Sequence, residues 1–181
     1  MRSDDCLPIT RAGTFAYERH SNQFFELCRI EPFKQRKMIT YLRDETISFK
    51  EFFEFLKRTD LGSQYPKERF KERVTRSLEN RSIGITARNE DGLLVGIAFA
   101  LTDFSYFLFL TDLGVDRKYV KSGIGTELMQ RIQDEAGGDE DISVVTISNN
   151  EAYEFYKKAG LKSEECLFWK CCKKWTNFTV N

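Results

Sequence analysis

Histidine is nearly missing from this chain: His20 is the only one. A histidine-based metal centre or a Ser-His-Asp triad would have to depend on it, in the least patterned part of the sequence, which argues against both. No apolar run is long enough to cross a bilayer, and Met1 to Gly13 mixes charges with Pro8 where a secretory leader would be apolar. An excess of one charge is also missing, with 28 basic and 28 acidic residues. General nucleic-acid binders are normally basic, so neither nucleic acid nor a membrane is expected as a partner. The five cysteines are an odd number without metal-ligand spacing. Cys171 and Cys172 are adjacent, which is poor geometry for a disulfide framework. Free thiols in a reducing cytoplasm are the expectation, and no metal is called for.

Core material is plentiful. Sixteen phenylalanines and two tryptophans in 181 residues suit one domain with one sizeable core. Residues 1–37 carry scattered charges and one short apolar patch at Phe24, Phe25, Leu27 and Ile30. They are expected to form an extension outside the core fold, with a domain over 38–172 and a polar tail over 173–181. From Met38 the pattern is regular. Met38 to Leu42 predicts a strand. Ser48 and Glu51 form an S-x-x-E capping box before Phe49, Phe52, Phe53 and Leu56 at helical spacing, with Leu61-Gly62 as the stop. Pro66 suits the first turn of a second helix carrying Phe70, Val74 and Leu78. Ile83 to Ala87 and Leu93 to Leu101 predict a hairpin about the Asn89-Glu-Asp-Gly92 turn. Tyr106 to Val115 is a long apolar run. Ile124, Leu128 and Ile132 mark a helix stopped by Gly137-Gly138. Ile142 to Ile147 reads as a buried strand, possibly parallel. A helix over Asn150 to Ala159 with Gly160 as its cap and a last strand over Cys166 to Cys171 complete a mixed α/β order.

The chemistry is expected where the strand ending at Val115 turns into the helix starting near Ile124. Gly123 and Gly125 sit at that entrance. Glycines there let backbone approach a ligand, and several amides plus the positive helix end then converge on one place suited to a phosphate. Taken alone, a G-x-G is more often a device for close helix–strand packing, and it is also compatible with an unrelated α/β nucleotide binder.

Leu113 to Leu128 resembles motif A of the GNAT superfamily, Q/R-x-x-G-x-G/A between strand and helix. Asn149 to Leu161 resembles the next signature of that superfamily, an Asn before a helix bearing a Tyr and a Gly-hydrophobic end. The similarity runs from Met38 to about Trp169, and Thr102 to Tyr106 looks most like small bacterial members. The resemblance implies a GNAT-like α/β fold: a mixed, mostly antiparallel sheet with two splayed parallel central strands and flanking helices. It implies an N-acetyltransferase that binds acetyl-CoA and passes the acetyl group to an amine acceptor by direct attack. A catalytically weak CoA-binding module acting through a partner is the alternative, and homodimers are common in such families.

Residue by residue, the resemblance sets the pantetheine arm against Leu113, Gly114 and Val115. It sets the pyrophosphate on the amides of Val120, Lys121, Ser122, Gly123, Ile124, Gly125 and Thr126. Val120 stands where the motif has Gln or Arg, and Lys121 where it commonly has Gly, so a side-chain contact is lost while the amides remain. Tyr156 matches the tyrosine that protonates the departing CoA thiolate. Asn149 is open between contacting CoA and capping the next helix. An amine with a pKa of about 10.4 must lose a proton before attack. Asp112 is the nearest carboxylate in the apolar strand and the candidate base, with a purely structural role open beside it. Asp103 is a weaker candidate.

Overall fold

The computed structural model describes residues 38–181 apart from Cys166 and Trp169. The apolar patch expected near Phe24 and the single histidine lie outside the described residues. In chain order come β1 (Thr40–Arg43), α1 (Phe49–Lys57), α2 (Phe70–Asn80), β2 (Ile83–Arg88), β3 (Leu94–Thr102), β4 (Phe107–Val115), α3 (Ile124–Ala136), β5 (Ser143–Thr146) and α4 (Tyr153–Lys158). The strands form one sheet in sequence order. Neighbours are antiparallel from β1 to β4, and β4 and β5 are parallel.

The sheet separates two apolar clusters. On one face α3 buries Ile124, Leu128 and Ile132 against Ile83, Ile85, Val95, Ala98, Leu108 and Leu110. On the other, α1 and α2 bring Phe52, Phe55, Leu56 and Val74 onto Leu94, Ile97 and Phe99. Strands β2 and β3 are covered on both faces, so they read as near-continuous apolar runs.

Local chemistry explains most boundaries. Ser48 caps α1, its Oγ accepting from Glu51 N at 3.2 Å. The Glu51 carboxylate instead pairs with Arg88 at 2.8 Å and so pins α1 to the β2 end. Asn89 Oδ1 accepts from the amides of Asp91 and Leu93 and closes the hairpin turn, with Gly92 at φ 76°.

Four boundaries differ from expectation. Helix α1 stops at Lys57, and Leu61-Gly62 lies in a separate 3-10 turn, Asp60–Ser63. The cause is tertiary: Arg58 leaves the helix to bind Asp116 Oδ2 at 2.7 Å and the Leu94 carbonyl at 2.7 Å. Pro66 lies ahead of α2 in extended backbone that bridges to Asn177. The C-terminal segment packs there, with Phe178 edge-on to Phe70 at 5.1 Å and Val180 buried. Helix α4 is shorter than expected, starting at Tyr153. Of the last strand expected over Cys166 to Cys171, Cys166 and Trp169 lie outside the described residues, and the other four are not strand. Among the described residues β5 is therefore an edge.

Candidate functional site

The site begins with an irregularity in β4. Phe99 pairs with Asp112 but Ala100 pairs with Leu110, so Thr111 is an extra residue, a β-bulge. Its Oγ1 donates to the Phe99 carbonyl at 3.1 Å. A bulge reverses which side chains face which way. Before it, Leu108 and Leu110 face the α3 cluster. After it, Asp112 and Gly114 face α1 and the 3-10 turn.

The parallel pairing of β4 with β5 ends at the same place. The last partners are Leu110 and Thr146, tied by Thr146 Oγ1 donating to the Leu110 carbonyl at 3.1 Å. From Thr111 to Val115, β4 has no strand on its β5 side among the described residues. Such an edge offers backbone amides and carbonyls to a ligand. A cleft of about 160 Å³ opens there, lined by Leu113, Gly114, Val115, Val120, Asn149 and Ala152 with Asp60, Leu61, Gln64 and Glu151. Five of the residues singled out from sequence thus come together. The wall from the 3-10 turn and Glu151 was not legible beforehand, since Leu61-Gly62 reads locally as a helix stop.

The turn entering α3 is built by its own hydrogen bonds. Asp116 Oδ1 accepts from Lys118 N at 2.9 Å, and its other oxygen holds Arg58. Arg117 reaches Asp60 at 2.8 Å. The two ion pairs tie the 3-10 wall to the turn. Ser122 Oγ donates to the Tyr119 carbonyl. Lys121 and Gly123 have φ of 65° and 90°. Gly123 caps α3 in that left-handed conformation, and a Cβ there would meet nothing within 4 Å. Gly125 is in the first turn, where a Cβ would lie 3.4 Å from Phe155. Lys121, Ser122, Gly123, Ile124, Gly125 and Thr126 do not line the cleft. They follow Val120 into the start of the helix, whose amides favour anions. Gly114 has a different use: a Cβ there would fall 2.4 Å from Leu61 Cδ1, so the bare α-carbon seats the 3-10 wall.

Asp112 is buried, and Tyr65 donates its phenol proton to Asp112 Oδ1. Burial pushes the Asp112 carboxyl above its ordinary value, while the hydrogen bond from Tyr65 and the neighbouring Thr111 hydroxyl act against that rise. The Tyr65 phenol is also pushed well up, by burial first and then by Asp112, so it remains a proton donor. Tyr156, half-buried on α4, is raised by burial, with Thr146 pulling down and Asp112 pushing up. The Asp112 charge thus reaches Tyr156, although neither residue lines the cleft. Asp103 is elsewhere: its carboxylate accepts from the amides of Ser105, Tyr106 and Phe107 in the exposed β3–β4 turn, which lowers its pKa. That is turn chemistry, not a base. Asn149 Oδ1 caps the Ala152 amide at 2.8 Å while the residue lines the cleft.

A larger hollow of about 310 Å³ lies between β1 and α3, lined by Tyr41, Arg43, Arg131 and Glu135 among others. Arg43 pairs there with Glu135 and Arg131 with Glu127, and Asp134 accepts from Gln130. It sits at the opposite edge of the sheet from the parallel pair, and its α3 residues come from the C-terminal half of that helix, away from the helix start, so the smaller cleft is the better candidate.

The chain matches the family model of the Acetyltransferase (GNAT) family over residues 46–161, more than half its length. No curated protein matches it. Its fold is similar to that of a provisionally assigned acetyltransferase from Deinococcus radiodurans R1, with 25% identity, TM-score 0.57, and coverage of 73% of this chain and 87% of that one. It is similar to a GNAT family acetyltransferase from Streptococcus pneumoniae TIGR4, with 19% identity, TM-score 0.58, and coverage of 74% and 98%. It is also similar to the aminoglycoside N-acetyltransferase AAC(6')-Iy in complex with CoA, with 14% identity, TM-score 0.55, and coverage of 76% and 96%.

Proposed function

The chain belongs to the GNAT acetyltransferase family, and from that premise we propose that it transfers the acetyl group of acetyl-CoA to an amine by direct attack. The observation that carries this reading is the parting of β4 from β5 beyond Leu110 and Thr146, past which Leu113, Gly114 and Val115 line a cleft. An extended chain with two amides, such as pantetheine, suits a strand edge of that kind. The start of α3, with Gly123 in the left-handed region, suits a pyrophosphate. Val120 lines the cleft with an apolar side chain, so phosphate contacts fall to backbone amides and Lys121.

Two side chains are suited to move protons. Asp112, held above the ordinary carboxylate value by burial, is suited to take a proton from the acceptor ammonium, directly or through water. Tyr156, kept protonated by burial, is suited to supply one to the departing thiolate. The neutral amine attacks the thioester carbonyl, the C–S bond breaks, and no covalent enzyme intermediate is needed. Asn149 keeps its carboxamide NH2 for the ligand while its oxygen caps Ala152.

The test is release of CoA thiol from acetyl-CoA by the whole chain against a panel of polyamines, amino acids, aminoglycosides and peptide N-termini. Amine-dependent release supports transfer. Tight acetyl-CoA binding with no release above hydrolysis for any amine would favour a binding module instead.

A further inference from the structure

Between α1 and α2 the chain carries a tyrosine that no motif marks. Tyr65 follows the 3-10 turn whose Asp60, Leu61 and Gln64 wall the cleft. Its ring lies edge-on to Phe52 at 6.3 Å and to Phe70 at 6.0 Å. These contacts fix the ring from two helices, so the hydroxyl has one direction to point, and there it meets Asp112 Oδ1. The Thr111 bulge is what turns Asp112 toward this side; in regular register it would face the α3 cluster with Leu108 and Leu110. Bulge and tyrosine thus act on one carboxylate from opposite elements. Arg81 Nε is the one buried side-chain nitrogen or oxygen without a partner among the described residues, so neither Asp112 oxygen is sealed away unpaired. Only Oδ1 is engaged by Tyr65.

We propose that Tyr65 is a positioning residue for acetyl transfer: its hydroxyl holds one oxygen of Asp112 and leaves the other for the acceptor's proton. Besides burial, the groups acting on Asp112 are Tyr65 from the α1–α2 connection and its own neighbour Thr111 in β4. No cation is among them, so the Tyr65 hydrogen bond is a principal support of the ionised form.

The inference rests on the proposed role of Asp112, and its test keeps the two separable. Tyr65→Phe removes one oxygen and retains both ring contacts. In the full chain, carboxyl 13C titration, with the Asp112 signal assigned through Asp112→Asn, should show the Asp112 midpoint moved upward in Tyr65→Phe. With the amine giving the fastest CoA release, kcat/KM of Tyr65→Phe should fall about tenfold or more near pH 6.5 and recover toward wild type near pH 9. An unmoved midpoint, or an equal loss at every pH, would overturn the positioning role. If Asp112→Asn keeps wild-type turnover, the base assignment fails and Tyr65 falls with it. If Asp112→Asn is inactive while Tyr65→Phe matches wild type, only the Tyr65 claim fails.

Discussion

Adding one methyl group at Gly125 separates the two uses of glycine at a helix start. Gly125 is the second residue of α3, in ordinary helical backbone. An added Cβ would meet Phe155 Cε2 at 3.4 Å, Phe155 Cζ at 3.6 Å and Val115 Cγ2 at 3.7 Å, all ordinary van der Waals contacts. Nothing has to move in the unliganded fold. Alanine is also the better helix former, by up to about 1 kcal/mol. For a chain of this size that corresponds to a melting temperature unchanged or raised by roughly 2–4 °C. If the bare α-carbon exists so that pyrophosphate reaches the amides, the methyl group occupies that approach. Losing one charge-assisted hydrogen bond, about 1.5–3 kcal/mol, weakens binding roughly tenfold to a hundredfold. Gly123→Ala is the contrasting variant. It adds no clash but forces a side chain to φ 90°, which costs about 1–2 kcal/mol. Thermal melts and calorimetric titration with acetyl-CoA read both quantities. Wild-type affinity in a folded Gly125→Ala protein would refute the approach argument and leave Gly125 a packing residue.

Tyr156→Phe keeps the ring on the first cluster, so stability and acetyl-CoA affinity should hold while kcat falls about 10²–10⁴-fold; steady-state kinetics beside a direct Kd measurement decides this. Asp112→Asn should stabilise the fold as it removes activity. The Asp112 pKa is raised by burial, so its contribution is full below the ordinary carboxylate pKa and is lost as pH rises through the folded value. The variant should therefore melt higher than wild type near pH 8 and alike near pH 3, and equal melting at both would deny the burial cost. Residues 1–37 are expected to be dispensable for CoA binding. A chain beginning at Met38 should keep its melting temperature and its shift with acetyl-CoA, and an insoluble product would place that segment in the core.

Much of this architecture is written locally. The Ser48 cap, the Asn89 turn, the Ile124–Ile132 stripe and the stop at Gly137-Gly138 depend on neighbours in sequence, and each appears as expected. The parallel placement of β5 follows from a β-branched run after a crossover helix. What was not legible depends on distant partners. Arg58 ends α1 because Asp116 and the Leu94 carbonyl are waiting for it. Pro66 joins the C-terminal segment because Asn177 lies beside it. The Thr111 bulge is a mismatch of register between β3 and β4, and no local signal marks it. The Asp112–Tyr65 pair follows from that bulge, which is why Asp112 was reachable as an odd carboxylate in an apolar strand while Tyr65 was not.

Amide hydrogen exchange with and without saturating acetyl-CoA tests the central claim most directly. If the parted edge of β4 and the start of α3 hold the ligand, protection should rise at residues 113–115 and 120–126. The hollow between β1 and α3, at Tyr41 to Arg43 and Arg131, should not change. Protection confined to that hollow, or none at 113–115 with binding shown by calorimetry, would contradict the account.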